Sequence, residues 1–240
     1  MGKPKSKAVT AAKINLKNNK PASVITAAVI GCILIQDIVF IILKQFGINA
    51  NGPDNMTVSL GNYLFLLIIL SAVFIPAMNF RKTMNLGAKR SDFFFGCAVI
   101  YAVMAAFVSL LSVILYYTYD KFAVSQLYGG GTLDVLYWFG WVNDGAVMAF
   151  FRQFAFLLLF AVVIHTLVSV QGKWYGWAAD ISVAAVISVF TPIAPLRAAL
   201  VWFLRLIIFH QNAFLQTAAC LIFAVAIYSL NKFIYARKAI

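Results

Sequence analysis

Six apolar stretches, each roughly twenty residues long and nearly free of charge, constrain this chain more than any motif in it. They run roughly over 22–43, 58–79, 93–117, 146–170, 177–195 and 206–230. Runs of about 18 apolar residues or more cross a bilayer as helices, because in lipid each backbone amide must be satisfied within its own segment. A composition that is 63% hydrophobic and 11% charged over 240 residues cannot supply the water-facing surface of a soluble domain. The expected fold class is all-α: a polytopic membrane protein with six transmembrane helices, an N-terminal interfacial helix and both termini cytoplasmic.

The net charge of +12 does not point to nucleic acid, because the basic residues lie between and beside the apolar stretches. Lys3, Lys5, Lys7, Lys13, Lys17 and Lys20 precede the first span, and Arg81, Lys82, Lys89 and Arg90 separate the second from the third. Lys173 separates the fourth from the fifth, and Lys232, Arg237 and Lys238 come at the end. Asp54, Asp120, Asp134 and Asp144 fall on the opposite side. The positive-inside rule therefore puts the basic loops and both termini on the cytoplasmic side. The expected location is the plasma membrane of a bacterial cell.

Residues 1–21 form a basic, weakly amphipathic segment, read either as a short helix on the inner membrane face or as a tail that sets topology. The first apolar run lacks a cleavage pattern and is read as a retained span. The six-span domain covers 22–230 and a basic tail covers 231–240. Opposite the basic loops, the longer connection 118–145 holds the glycines 129–131 and an interfacial aromatic cluster of Tyr137, Trp138 and Trp141. Pro192 and Pro195 end the fifth span, and the apolar stretch 192–210 carries Arg197, Arg205 and His210. That combination reads as a short re-entrant helix in the outer leaflet, the alternative being one long tilted sixth helix. Asn55-Met56-Thr57 fits a glycosylation sequon, a pattern common by chance.

Ionisable residues inside a membrane are costly and mark places of interest. Asp37 in the first span and Arg152 in the fourth lie at matching depth, about 9 Å from their outer helix ends at ~1.5 Å per residue, which allows an ion pair. His165 and Asp180 flank the turn QGKWYG and are expected to meet as a packed or water-facing polar pair. The three cysteines Cys32, Cys97 and Cys220 lie inside apolar runs without metal-ligand spacing. No phosphate loop, HExxH or GxSxG motif is present, and with no glutamate in the chain a glutamate-dependent metalloprotease is excluded. No metal site is expected, and no catalysis by this chain alone.

The loop NFRKTMNLGAKRSDFFFG remains. Topology explains its charges but not its residue order. It reads as a short helix over about Phe80–Leu86, a break at Gly87 and a new helix capped by Ser91, with Asp92 complementing the dipole. The order Leu86, Gly87, Arg90, Phe93, Phe94 resembles the Leu-Gly-x-x-Arg-x-x-Phe-Phe pattern between the second and third spans of permease subunits of type-2 ABC exporters. The layout is also similar over nearly the whole chain. The resemblance implies a coupling loop over 80–92, seated in a cleft of a separate ABC ATP-binding subunit. Arg81, Lys82, Lys89 and Arg90 would stay in water or meet partner acids there, Met84 and Leu86 would pack into the cleft, and Gly87 and Asp92 belong to the same contact. It implies a second permease copy, identical or similar, and ATP and Mg bound by the partner, with no cofactor in this chain. The apolar, aromatic tract suits amphipathic peptide or lipid-like cargo. Alternative readings are a six-span substrate-capturing subunit of a vitamin-type importer, and a non-transport immunity or sensory membrane protein.

Overall fold

A computed structural model of the chain describes residues 7–47, 57–124, 132–171 and 174–237. The triple glycine, Asp54, the first two sequon residues, Lys173 and Lys238 lie outside the described residues.

The described chain is helical apart from turns and one two-residue strand pair. Helix α1 (Lys7–Asn18) runs into α2 (Lys20–Gln45). Strand β1 (Thr57–Val58) leads into α3 (Leu60–Tyr63), α4 (Phe65–Phe74), a π-helical turn (Ile75–Asn79) and α5 (Phe80–Asn85). Helix α6 (Arg90–Leu115) continues as a π-helix (Tyr116–Val124). Strand β2 (Thr132–Leu133), α7 (Val135–Trp138) and a 3-10 turn (Trp141–Asp144) precede α8 (Ala146–Val170). The chain ends in α9 (Trp174–Phe190), α10 (Ala194–Ile207) and α11 (Ala213–Arg237).

Five helices are long and apolar enough to cross a membrane, and α9 with α10, bent by 114° at a short break, form a sixth candidate between them. The protein is thus an all-α, membrane-embedded chain. The second apolar stretch extends beyond its expected end. Pro76 removes an amide from the helical ladder, the helix widens into the π turn, and helical structure then runs on to Asn85.

The last span starts later than the apolar pattern implied. Asn212 accepts from the amides of Phe214 and Leu215 at 3.0 and 3.1 Å and so caps α11. That break rules out one continuous sixth helix. Phe203 of α10 packs edge-on against Phe223, ten residues into α11, so α10 lies alongside the span rather than beyond its end. The expected dipping segment is therefore a helix, Ala194–Ile207.

Helix α8 is the centre of the bundle, packed against α11, α6 and α4, while α1 lies along α6. The N-terminal segment is thus a helix folded onto the bundle. Helix α2 is peripheral and buries only Ala22, Thr26 and Asp37. The end of the bundle carrying Arg81 to Arg90 is called the basic end below. At the opposite end, the parallel register Thr57 with Thr132 and Val58 with Leu133 ties the start of the second span to the connection before α8.

Helices α8 and α9 approach closely at the basic end. A Cβ on Gly176 would sit 2.5 Å from the carbonyl oxygen of Val170, a backbone atom that cannot rotate away. Gly176→Ala is therefore expected to push α9 off α8 and destabilise the protein by ~1–3 kcal/mol, read as a lower thermal midpoint of the detergent-solubilised protein.

Candidate functional site

The loop residues singled out in the sequence lie at the basic-end hairpin between α5 and α6. Helix α5 closes with a Schellman motif. The amide of Gly87 donates to the Met84 carbonyl at 2.9 Å, and that of Ala88 donates to Thr83 at 3.3 Å. Gly87 adopts φ +78°, the left-handed region where a Cβ is costly, which explains why glycine stands there. Ser91 is not the helix cap. The cap position is Lys89, whose amide donates to Asp92 Oδ2 at 3.3 Å, so Asp92 serves both the free amide and the helix dipole.

The hairpin is narrow, and its side chains sort by face. Arg81, Lys82, Leu86, Gly87 and Lys89 are exposed, and Arg90 and Asp92 are partly so. Leu86 is 68% exposed, an apolar side chain held out at a turn. Met84 behaves differently. It is packed into the chain's own core and is not offered to a partner's cleft, because the α5 turn rotates it onto the face shared with Phe80. Thr10 and Ile14 of α1 and Leu86, Gly87, Ala88, Lys89 and Asp92 of the hairpin line an open cavity of about 220 Å³.

Polar side chains dock α1 beside the hairpin. Asn15 donates to Cys97 Sγ at 3.7 Å and accepts from Thr83 at 3.4 Å, and Asn19 donates to Ser71 at 2.6 Å. Asn15 and Asn19 are almost fully buried, so this face of α1 is specific packing rather than lipid contact.

Beneath the hairpin lies an aromatic cluster. Phe80 stacks on Tyr235 at 5.2 Å, and Phe93 meets both rings edge-on at 5.3 and 5.4 Å. The Tyr235 hydroxyl lies 2.7 Å from His165 Nε2, and the Tyr101 hydroxyl lies 2.6 Å from Nδ1. The Tyr235 hydroxyl also pairs with Ser169 at 2.9 Å. The His165 ring thus joins α6, α8 and α11.

This arrangement corrects two expected pairs. His165 does not meet Asp180. It faces α6 and α11, while Asp180 on the exposed side of α9 accepts from Gln171 at 2.9 and 3.1 Å. Asp37 and Arg152 also do not pair, because α2 is peripheral and Arg152 points toward α11. Asp37 accepts from Tyr119 at 2.5 Å. Arg152 spreads its guanidinium over Asp144 Oδ2 at 2.5 Å, the His210 carbonyl at 2.6 Å and the Gln216 side-chain oxygen. Trp141 donates its indole N–H to the Ile208 carbonyl at 2.9 Å beside this cluster. Arg205 is exposed on α10 and lines, with Phe209, His210 and Gln211, a cavity of about 460 Å³.

Several residues in these sites escaped sequence reasoning. Tyr101, Tyr235, Asn15, Ser59, Asp120 and Asp134 are polar groups in or beside apolar runs, and only the packing shows which of them meet. Burial raises the Asp134 carboxyl above the usual carboxylate range, against hydrogen bonds from the Leu136 and Tyr137 amides that lower it. The chain matches no protein-family model, no curated protein and no solved structure.

Proposed function

We propose that the chain is the permease subunit of an ATP-driven exporter, coupled through the Leu86–Asp92 turn to a separate ATP-binding subunit. The observation that carries this reading is the turn itself. Leu86 stands 68% exposed beside a left-handed glycine, flanked by exposed Arg81, Lys82 and Lys89. An apolar knob ringed by cations fits a cleft with an acidic rim, where the charges steer encounter and the knob supplies contact energy. The partner binds ATP and Mg. This chain, with a second copy, lines the path for amphipathic or lipid-like cargo across a bacterial plasma membrane.

The core beneath the turn supports the same reading. Phe80 and Phe93 rest on Tyr235, which is bonded to His165, so the turn's base is packed into the centre of the bundle rather than hung on a loose loop. A push on the turn reaches α6, α8 and α11 through contiguous contacts.

Leu86→Asp touches no core contact and is expected to weaken co-purification of the ATP-binding subunit at least tenfold, about 1.4 kcal/mol. Gly87→Val is expected to strain the turn and abolish stimulation of ATP hydrolysis in membranes. If both variants retain subunit binding and stimulated hydrolysis, the turn is not the coupling element.

A further inference from the structure

At the end of the bundle opposite the hairpin, two carboxylates are buried, neither of them in an ion pair with a cationic side chain among the described residues. Asp120 and Asp134 are only 2% and 1% exposed. Each has one oxygen satisfied. Ser59 donates to Asp120 Oδ2 at 2.6 Å, and Asp134 Oδ1 accepts from the amides of Leu136 and Tyr137 at 2.6 and 3.4 Å. The second oxygen of each, Asp120 Oδ1 and Asp134 Oδ2, is buried with no hydrogen-bond partner, and so is Thr57 Oγ1. Ser59, which donates to Asp120, stands beside Asp134 across the strand pair, its amide bonded to the Leu133 carbonyl.

The local fold builds this arrangement. The strand register pairs Thr57 with Thr132 and Val58 with Leu133, and the Ser59 amide continues the ladder to the Leu133 carbonyl at 3.1 Å. Side chains alternate along a strand, which puts Thr57, Ser59, Thr132 and Asp134 on one side. Asn62 locks the register by donating to the Leu133 carbonyl at 2.7 Å and accepting from the Val135 amide at 3.2 Å. The π-helix that continues α6 brings Asp120 against Ser59.

Two buried, ionised carboxylates are strongly unfavourable unless a cation joins them or one of them takes up a proton. Among the described residues no lysine, arginine or histidine forms an ion pair with either. The unpartnered oxygens are hard donors, the kind that suit calcium or magnesium rather than a soft metal. We propose that Asp120, Asp134 and Ser59 form a site for a hard divalent cation of the calcium class, which clamps the start of the second span to the connection before α8. The basic-residue distribution puts this end outside the cell, where sites of modest affinity fill at ~10⁻⁴–10⁻³ M calcium. The site is independent of the exporter reading.

The test uses the full-length chain in detergent. Calcium chloride is titrated into chelator-stripped protein while thermal unfolding is followed by tryptophan fluorescence, to which Trp138 and Trp141 near the site contribute. Terbium luminescence, excited through Tyr119 and Tyr137, reports binding directly and is displaced by calcium. Expected are a saturable rise in the midpoint of about 3 °C and one terbium site per chain, both lost in Asp134→Asn and Asp120→Asn. Should either variant fail to fold, Ser59→Ala, expected to weaken binding several-fold, serves instead. Absence of a calcium or magnesium response in the wild-type protein overturns the proposal, as does a response unchanged in the folded variants. A third outcome also overturns it: stability that rises only on acidification and ignores both cations, which would mean a shared proton joins the two acids.

Discussion

Arg152→Met is expected to be among the most destabilising single changes available in this protein, at about 3–5 kcal/mol. The guanidinium is nearly fully buried and serves three acceptors on different segments: the Asp144 carboxylate, the His210 carbonyl and the Gln216 side chain. A methionine fills much of the volume but leaves the carbonyl and the amide oxygen of Gln216 without a donor in an apolar surrounding. With ~2–4 °C per kcal/mol for a chain of this size, the midpoint should fall on the order of 10 °C in detergent. Asp144→Asn should cost only ~1 kcal/mol, because the Asp144 side chain is 38% exposed and its partner keeps two other acceptors. A fall of less than about 1 kcal/mol in Arg152→Met would show that the arginine is solvated rather than structural.

His165→Leu is expected to cost ~2–5 kcal/mol by a different route. Tyr101 and Tyr235 each lose a ring-nitrogen partner, leaving two buried hydroxyl groups to be rehoused. Unmade hydrogen bonds cost more than absent ones, so Tyr101→Phe combined with His165→Leu should be less damaging than the two single costs added together. A coupling energy of about 0.5–3 kcal/mol in that double-mutant cycle is the signature. Strict additivity would mean that the 2.6 Å contact contributes nothing to stability. If the coupling reading of the basic-end turn holds, the same variant should uncouple ATP hydrolysis from export, because Tyr235 connects the histidine to Phe80 and Phe93 under the turn.

The intramembrane polar residues show how far a sequence can be read. Asp37, Arg152, His165 and Asp180 stand out against apolar runs because each costs free energy in lipid and so demands a partner. That demand is legible one residue at a time. Which partner answers it is not, since matching depth is satisfied by any neighbouring helix. Arg152 found acceptors within its own turn region and on α11, and His165 found two tyrosines, which are unremarkable letters in an aromatic-rich chain.

The hairpin divides in the same way. Gly87 as a helix stop and Asp92 as a first-turn acid follow from local chemistry, and both are present. Met84 and Leu86 looked equivalent as apolar residues of one loop. The α5 turn buries the first under Phe80 and leaves the second exposed.

The sequence by itself determined the solvent and the elements. Apolar runs of membrane length force helices, since an unpaired amide in lipid is prohibitive, and Pro76, Gly87 and Asn212 mark where regular helix is disturbed or restarts. Only the tertiary structure decided which faces of those helices meet. Depth is a one-dimensional quantity written along the chain, whereas helix neighbourhood and rotation are settled by packing among all the helices at once. For that reason Ser59, Asp120 and Asp134 are scattered letters in the sequence and meet at one strand pair in the fold.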